Sequence, residues 1–305
     1  MCATCGCAAD GAEIRLIAGA GADHEHGHDH DAGHGYDAGH GHEVGDGYEP
    51  GHGHGHGHDA GHGHEAGHGH EADHGHVAAP RAGESDRTVL LQHKILARND
   101  GIAGRNRDWL RQRGVLMLNL MSSPGAGKTT LLERTARDLA GTLSFAVIEG
   151  DLQTALDATR IGAAGCRVVQ INTGVGCHLD AAMVASALRV LDPAAGSMVI
   201  IENVGNLVCP AMFDLGEAVR VVLASVPEGA DKPVKYPHMF RQADLVLLSK
   251  ADLLPYVNFD TERYTSDVRA ISPGARMMRL SAVTGEGMPD WYQWLRDRNP
   301  AAAGR

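Results

Sequence analysis

From Val115 onward, apolar residues gather in short runs: Val115–Met121, Phe145–Ile148, Val168–Ile171, Met198–Ile201, Val219–Leu223, Leu245–Leu248 and Met277–Leu280. Several are apolar on successive positions instead of alternating, which predicts strands covered on both faces. Segments of helix length separate them. Strand–helix alternation of this kind predicts an α/β domain, a mainly parallel sheet flanked by helices. Upstream, Val89, Leu90, Leu91, Ile95 and Leu96 recur at roughly helical spacing, and Asn99-Asp100-Gly101 reads as a break before Trp109 and Leu110. Aromatics are scarce, so an aliphatic core is expected.

The first 76 residues obey neither period. They hold 17 of the 20 histidines, 20 of the 40 glycines and 14 acidic residues against one basic residue, Arg15. The net charge of −11 therefore belongs to this region, and the remainder is close to neutral. A nucleic-acid binder relying on a basic face is excluded, because the attraction to phosphate is missing. A chain so rich in glycine and so poor in apolar residues cannot bury enough surface to offset its conformational entropy, so residues 24–76 are expected to be disordered without metal. The organisation expected is a cysteine motif over 1–22, a His/Gly-rich tract and linker over 23–87, and a P-loop G domain over 88–300. No apolar stretch reaches the length of a membrane span, and the start Met-Cys-Ala lacks a basic segment followed by an apolar one. The expectation is a cytoplasmic protein whose cysteines are ligands or buried side chains, without a disulfide framework.

The run ending at Met121 leads into Ser122-Ser123-Pro124-Gly125-Ala126-Gly127-Lys128-Thr129-Thr130 and a helix. Strand, glycine-rich loop and helix follow each other as in a phosphate-binding loop. Gly125 and Gly127 let backbone N–H groups turn toward phosphate oxygens, and the helix N-terminus adds its positive dipole end. Lys128 can reach the β- and γ-phosphates, and the Thr129 hydroxyl can ligate Mg²⁺. Ser122 stands where the general pattern has its first glycine. After Leu245–Leu248 comes Ser249-Lys250-Ala251-Asp252, and after Met277–Leu280 comes Ser281-Ala282. Asp252 can accept from the N1–H and 2-amino groups of guanine, which adenine lacks, while the Lys250 stem lies along the base. These elements, in this order, point to GTP. Asp151, closing Glu149-Gly150-Asp151, and Glu202, opening Glu202-Asn203-Val204-Gly205, sit at strand ends that face the ligand crevice. Asp151 is assigned to Mg²⁺ and the attacking water, with a helix cap ahead of Leu152–Ile161 as its alternative. Glu202–Gly205 is assigned to a switch. Lys128, Asp151 and Glu202 form the expected catalytic set.

Cys177-His178 and Cys209 lie in two loops that follow strands. Thiolate and imidazole together suit Zn²⁺ or Ni²⁺, though isolated cysteines are also common in cores. Three ligands leave the coordination incomplete, which invites a second subunit. Cys166 has no such neighbours and reads as core. Cys2, Cys5 and Cys7 form either a tight site for a soft or borderline divalent ion or an exposed reactive cluster. His24, His26, His28, His30, His52, His54, His56 and His58 belong to a tract suited to loose Ni²⁺ buffering.

Taken together, Cys2-x-x-Cys5-Gly-Cys7, the His-rich tract, Ser122–Thr130, Glu149-Gly-Asp151, Asn172-Thr-Gly-x-Gly-Cys177-His178-Leu-Asp180, Glu202-Asn-Val-Gly-Asn-Leu-Val-Cys209-Pro and Asp231-Lys-Pro-Val-Lys-Tyr-Pro closely resemble the HypB family of hydrogenase nickel-incorporation GTPases. The resemblance covers the terminal motif and the chain from residue 88 onward, and the family shares Ser122. It implies Mg²⁺-dependent GTP hydrolysis, a homodimer dependent on nucleotide and metal, a HypA-type metallochaperone as partner, and nickel delivery to the [NiFe]-hydrogenase large subunit. It also implies nickel at Cys2, Cys5 and Cys7, zinc or nickel at Cys177, His178 and Cys209, and a nucleotide contact for Lys232. No nucleic-acid or membrane partner is expected. The alternatives are a nickel store with a secondary GTPase and the related urease-type nickel-insertion GTPase.

Overall fold

Each apolar run forms a strand in the computed structural model, which describes residues 12–17, 82–152 (82–88 as backbone), 154–174 and 176–299. These strands are β2 (Leu116–Ser122), β3 (Phe145–Asp151), β4 (Arg167–Asn172), β5 (Met198–Glu202), β6 (Val219–Ser225), β7 (Leu245–Ser249) and β8 (Arg276–Arg279). The helices are α1 (Ala82–Gln112), α2 (Lys128–Asp138), α3 (Leu156–Ala163), α4 (Ala181–Leu191), α5 (Lys232–Lys235), α6 (Pro237–Arg241), α7 (Thr261–Ile271) and α8 (Met288–Arg298). The expected α/β architecture is present: β2 to β8 run parallel in one sheet, and the interior strands β5 and β7 are buried along their whole length. With β1 (Glu13–Ile17) at one edge, the sheet order is β1-β4-β3-β5-β2-β6-β7-β8. Parallel direction brings the C-terminal ends of β2, β3, β4 and β5 to one edge, where their loops gather.

Apolar clusters cover the sheet. Leu131, Leu132, Leu139 and Ile161 pack with Trp291 and Trp294 of α8. Elsewhere Leu110, Val184 and Leu188 join Ile148 and Ile171, and Phe240, Tyr264 and Val268 cover Val246 and Leu248. The core is mainly aliphatic as expected; the tryptophans are its main exception. The Trp291 indole N–H donates to the Thr135 hydroxyl at 3.0 Å, which satisfies a polar atom buried with the ring.

Three elements differ from the sequence expectation. Strand β1 (Glu13–Ile17) was not foreseen; it adds antiparallel to β4, with Glu13 opposite Asn172 and Ile17 opposite Val168. Ile14 and Ile17, three positions apart and therefore on opposite faces, pack against two different core clusters, while Glu13, Arg15 and Leu16 stay exposed. Helix α1 passes without interruption through Asn99-Asp100-Gly101 and begins at Ala82, ahead of the boundary expected at residue 88. A glycine in a helix costs about 1 kcal/mol. Tertiary bonding offsets it: Asn99 is buried, its amide donates to the Asp214 carbonyl at 2.7 Å, and its oxygen accepts from the Ala181 N–H at 2.9 Å. Helix α3 starts at Leu156, not Leu152, because Asp151 stays in β3 and its carboxylate accepts from the Thr154 N–H and hydroxyl, making a turn.

Gly216 shows how tightly α1 is seated. Its φ is +92°, and a Cβ there would lie 2.6 Å from the Ala103 carbonyl oxygen and 2.7 Å from the Asn106 Cβ. Gly216→Ala is expected to destabilise the fold by roughly 2–4 kcal/mol, combining overpacking with a left-handed backbone. A denaturant midpoint unchanged from the parent chain would contradict this seating.

Candidate functional site

The phosphate loop has the backbone its sequence requires. Gly125 and Gly127 adopt φ of +72° and +99°, and Gly127 opens α2 at Lys128. Thr129 is buried in the first turn, followed by Thr130. The buried Lys128 ammonium donates to the Ser122 hydroxyl at 2.8 Å, and burial lowers its pKa. Ser123 donates to Glu228, whose other oxygen caps Ser225. Pro124 meets the segment after β5: a Cβ on Gly205 would lie 2.9 Å from the Pro124 Cα, so only glycine fits there.

The expected base-reading elements latch onto this loop. The Ser249 hydroxyl donates to the Ala126 carbonyl at 2.7 Å, and the Lys250 ammonium donates to the Gly125 carbonyl at 2.8 Å. Lys250 itself is left-handed, with φ of +56°, which turns the chain toward Asp252. Asp252 Oδ1 is buried and has no hydrogen-bond partner among the described residues. The Ala251 N–H donates to the Leu280 carbonyl, tying this turn to the loop that carries Ser281 and Ala282. Ser281 holds that loop closed by accepting from the Thr284 N–H, and the Ala282 carbonyl accepts from Arg134. Lys232, by contrast, lies 3.8 Å from Glu228 and beside the Tyr236 ring, reaching the phosphate loop through Glu228 and Ser123.

A pair of buried carboxylates marks the strand ends. Glu202 accepts from the Thr129 hydroxyl at 2.7 Å, and Glu149 faces it in register across β3 and β5. Oε2 of each is buried and has no hydrogen-bond partner among the described residues. Burial and the proximity of Glu202 push the Glu149 pKa up to about 9, and burial raises Glu202 to about 7 against the pull of Lys128. Glu149 joins Asp151 and Glu202 at this edge without being among the expected site residues, because its pairing with Glu202 depends on the register of β3 against β5. Two orphaned carboxylate oxygens beside a threonine hydroxyl suit a divalent cation.

In the unfolded chain both carboxyls ionise near 4.5, so folding retains protons that unfolding releases. The stability tied to the pair is complete below that value and is lost as pH rises through about 7 and then about 9. The nucleotide-free chain in chelator is expected to lose denaturant resistance between about pH 5 and pH 9, and Glu149→Gln is expected to flatten that loss. A pH profile unaffected by the substitution would assign the effect elsewhere.

The second cluster lies on the same edge. Cys177 Sγ is 3.1 Å from Cys209 Sγ and 3.7 Å from His178 Nδ1, and the three donor atoms all lie within 4.8 Å of one another. Burial holds the His178 pKa below its usual value despite Asp180, so the ring is neutral near pH 7 and has a lone pair to offer. The Phe213 ring stacks on it with centroids 3.9 Å apart. Cys166 is buried in the core, and its thiol is raised to about 12, in keeping with a structural role.

The two clusters are linked. The Asp151 carbonyl accepts from the Thr173 N–H, and a Cβ on Gly150 would meet Leu179, the residue after His178, at 2.8 Å. On the other side, the Asn206 amide donates to the Cys177 carbonyl at 3.4 Å. The short segment Glu202–Asn206 thus touches Thr129, Pro124 and the metal-type loop in succession. Cys2, Cys5, Cys7 and the histidines from His24 to His58 lie outside the described residues.

A family model described as the CobW/HypB/UreG nucleotide-binding domain matches residues 116–279. The chain is 53% identical over 210 residues to the hydrogenase maturation factor HypB of Rhizobium leguminosarum bv. viciae, covering 69% of this chain and 70% of that protein. Among solved structures, it is similar to hydrogenase maturation factor HypB from Archaeoglobus fulgidus, with 39% identity, a TM-score of 0.62, and coverage of 66% of this chain and 98% of that one. It is likewise similar to HypB from Helicobacter pylori in complex with nickel, with 41% identity, a TM-score of 0.63, and coverage of 66% and 95%.

Proposed function

The chain belongs to the HypB family of hydrogenase maturation factors, GTPases of the CobW/HypB/UreG class, and from that premise we propose that it is a GTP-gated nickel carrier for hydrogenase maturation. The observation that carries the reading is the segment Glu202–Asn206, which spans from the phosphate loop to the Cys177 loop. In this reading the backbone of Gly125–Thr130 cradles the phosphates and Lys128 leaves Ser122 for the β- and γ-phosphates. Asp252 reads guanine, Ser281 and Ala282 close over the base, and Lys232 approaches the nucleotide through Glu228. Thr129, Glu202 and Asp151 would hold Mg²⁺, which when bound offsets the phosphate charge. The protein's own part is to fix the γ-phosphate against Glu202 and Gly205, so that losing it frees the segment that Asn206 ties to Cys177.

The cargo is Ni²⁺ on Cys177, His178 and Cys209, a donor set that Zn²⁺ also satisfies. Val208 and Met212, exposed beside Cys209, suit a second copy of the chain that completes the coordination. Strand β1 places Glu13 opposite Asn172, five positions before Cys177, and the nickel role of Cys2, Cys5 and Cys7 is carried by the family resemblance of their motif. A HypA-type metallochaperone and the hydrogenase large subunit are the proposed partners, with the His tract as nickel buffer.

Ni²⁺ is titrated into the full chain and into Cys177→Ala, each with GDP and with a non-hydrolysable GTP analogue. A nucleotide-sensitive site present in the parent and lost in Cys177→Ala is expected, with affinities differing tenfold or more between nucleotides. Equal affinity with both nucleotides overturns the gate and leaves the nickel-store alternative.

A further inference from the structure

The two metal-type loops follow β4 and β5, which β3 separates in the sheet. A third element spans them from outside. On α1, Asn99, Ala103, Asn106 and Leu110 recur at helical spacing, and all four are buried. Asn99 accepts from the Ala181 N–H and donates to the Asp214 carbonyl. Asn106 repeats the bridge one helical face-repeat later, donating to the Ala181 carbonyl at 2.8 Å and to the Leu215 carbonyl at 3.0 Å. Ala181 lies three residues after His178, at the start of α4. Asp214 and Leu215 directly follow Phe213, the residue stacked on His178, and close the loop that carries Cys209. Each asparagine therefore holds both loops at once, through backbone groups that cannot change rotamer.

Asparagines buried in a helix interior are unfavourable unless their amides are hydrogen-bonded. Here they hold four backbone groups drawn from the two loops whose separation sets the Cys177–Cys209 distance. Gly216, with no Cβ to push α1 away, allows the approach. From this we infer that Asn99 and Asn106 are positioning residues of the Cys177-His178-Cys209 cluster, with α1 acting as a splint that fixes the spacing of its ligands. The inference rests on the reading of that cluster as a metal site. Supporting groups of this kind commonly account for 10–100-fold in metal affinity.

The test uses the full-length chain carrying Cys2, Cys5 and Cys7→Ser, so that thiolate-to-metal charge-transfer bands of added Co²⁺ arise from Cys177 and Cys209 while the His tract stays silent in them. Asn99→Ala and Asn106→Ala are expected to weaken Co²⁺ binding at least tenfold and to change the intensity of its visible bands, with GTP affinity within about twofold of the parent. Leu110→Ala, which removes core packing from the same helix face but none of these hydrogen bonds, is expected to lower stability and leave the Co²⁺ spectrum unchanged. Should the alanine variants not fold, Asn99→Asp, which keeps the acceptor and loses the donor, reads the same effect. If Leu110→Ala weakens Co²⁺ as much, or if the asparagine variants bind Co²⁺ like the parent, the splint is overturned. If the parent itself shows no thiolate bands, the metal reading of the cluster fails instead.

Discussion

Asp252→Asn is expected to weaken GTP binding at least 100-fold and to give the chain affinity for xanthosine triphosphate. Asp252 Oδ1 is buried with no hydrogen-bond partner among the described residues, a costly state for a carboxylate that a bound base would relieve. Guanine offers two N–H donors on that edge, and a carboxylate accepts both. Hydrogen bonds to a charged group contribute about 1.5–3 kcal/mol each, so losing the pair corresponds to a factor of at least 100. An asparagine amide supplies a donor instead, which suits the carbonyl at position 2 of xanthine. The surrounding latch does not depend on this carboxylate, because Ser249 and Lys250 hold the Ala126 and Gly125 carbonyls by themselves. The loop should therefore survive the substitution, and the measurement is competitive nucleotide binding with ATP as a reference. Parent-like GTP affinity in the variant would mean that another group reads the base.

Much of this arrangement was legible because parallel strands buried on both faces announce themselves as apolar runs, and because a phosphate loop has few residue solutions. Ser249 illustrates the point: its hydroxyl makes one hydrogen bond, to the Ala126 carbonyl, and this closes the latch. Illegible elements depended on partners distant in sequence. β1 is five residues long and is stabilised by β4 rather than by its own pattern. The course of α1 through Asn99-Asp100-Gly101 is set by Ala181 and Asp214, a dependence no local propensity contains. Glu149 looked like an ordinary strand terminus until the register set it against Glu202. The cysteine cluster lay between these cases. Its residue types suggested chemistry, but only the fold brings Cys177 and Cys209 within 3.1 Å.

Glu149 and Glu202 are expected to separate stability from turnover. Glu202→Gln keeps a group that can bond the Thr129 hydroxyl but removes the charge beside it, and Glu202 is the carboxylate in direct contact with the proposed Mg²⁺ ligand Thr129. GTP hydrolysis is expected to fall on the order of 100-fold or more, since divalent-ion stabilisation of a phosphoryl transition state contributes several kcal/mol. Nucleotide binding in chelator should change little. Glu149→Gln acts differently. With its pKa at about 9, Glu149 stays protonated in the fold at pH 8 while the unfolded chain releases the proton, so the native state carries the cost of holding it. Removing the titration is expected to stabilise the nucleotide-free protein by roughly 2–4 kcal/mol at about pH 8 and to have little effect near pH 5. Paired unfolding curves at the two pH values, with steady-state hydrolysis on the same samples, make the comparison. A Glu202→Gln variant that hydrolyses GTP at the parent rate would remove the carboxylate from the reaction. A Glu149→Gln variant less stable than the parent at both pH values would show that Glu149 is a structural partner instead of a carboxyl held against its ionisation.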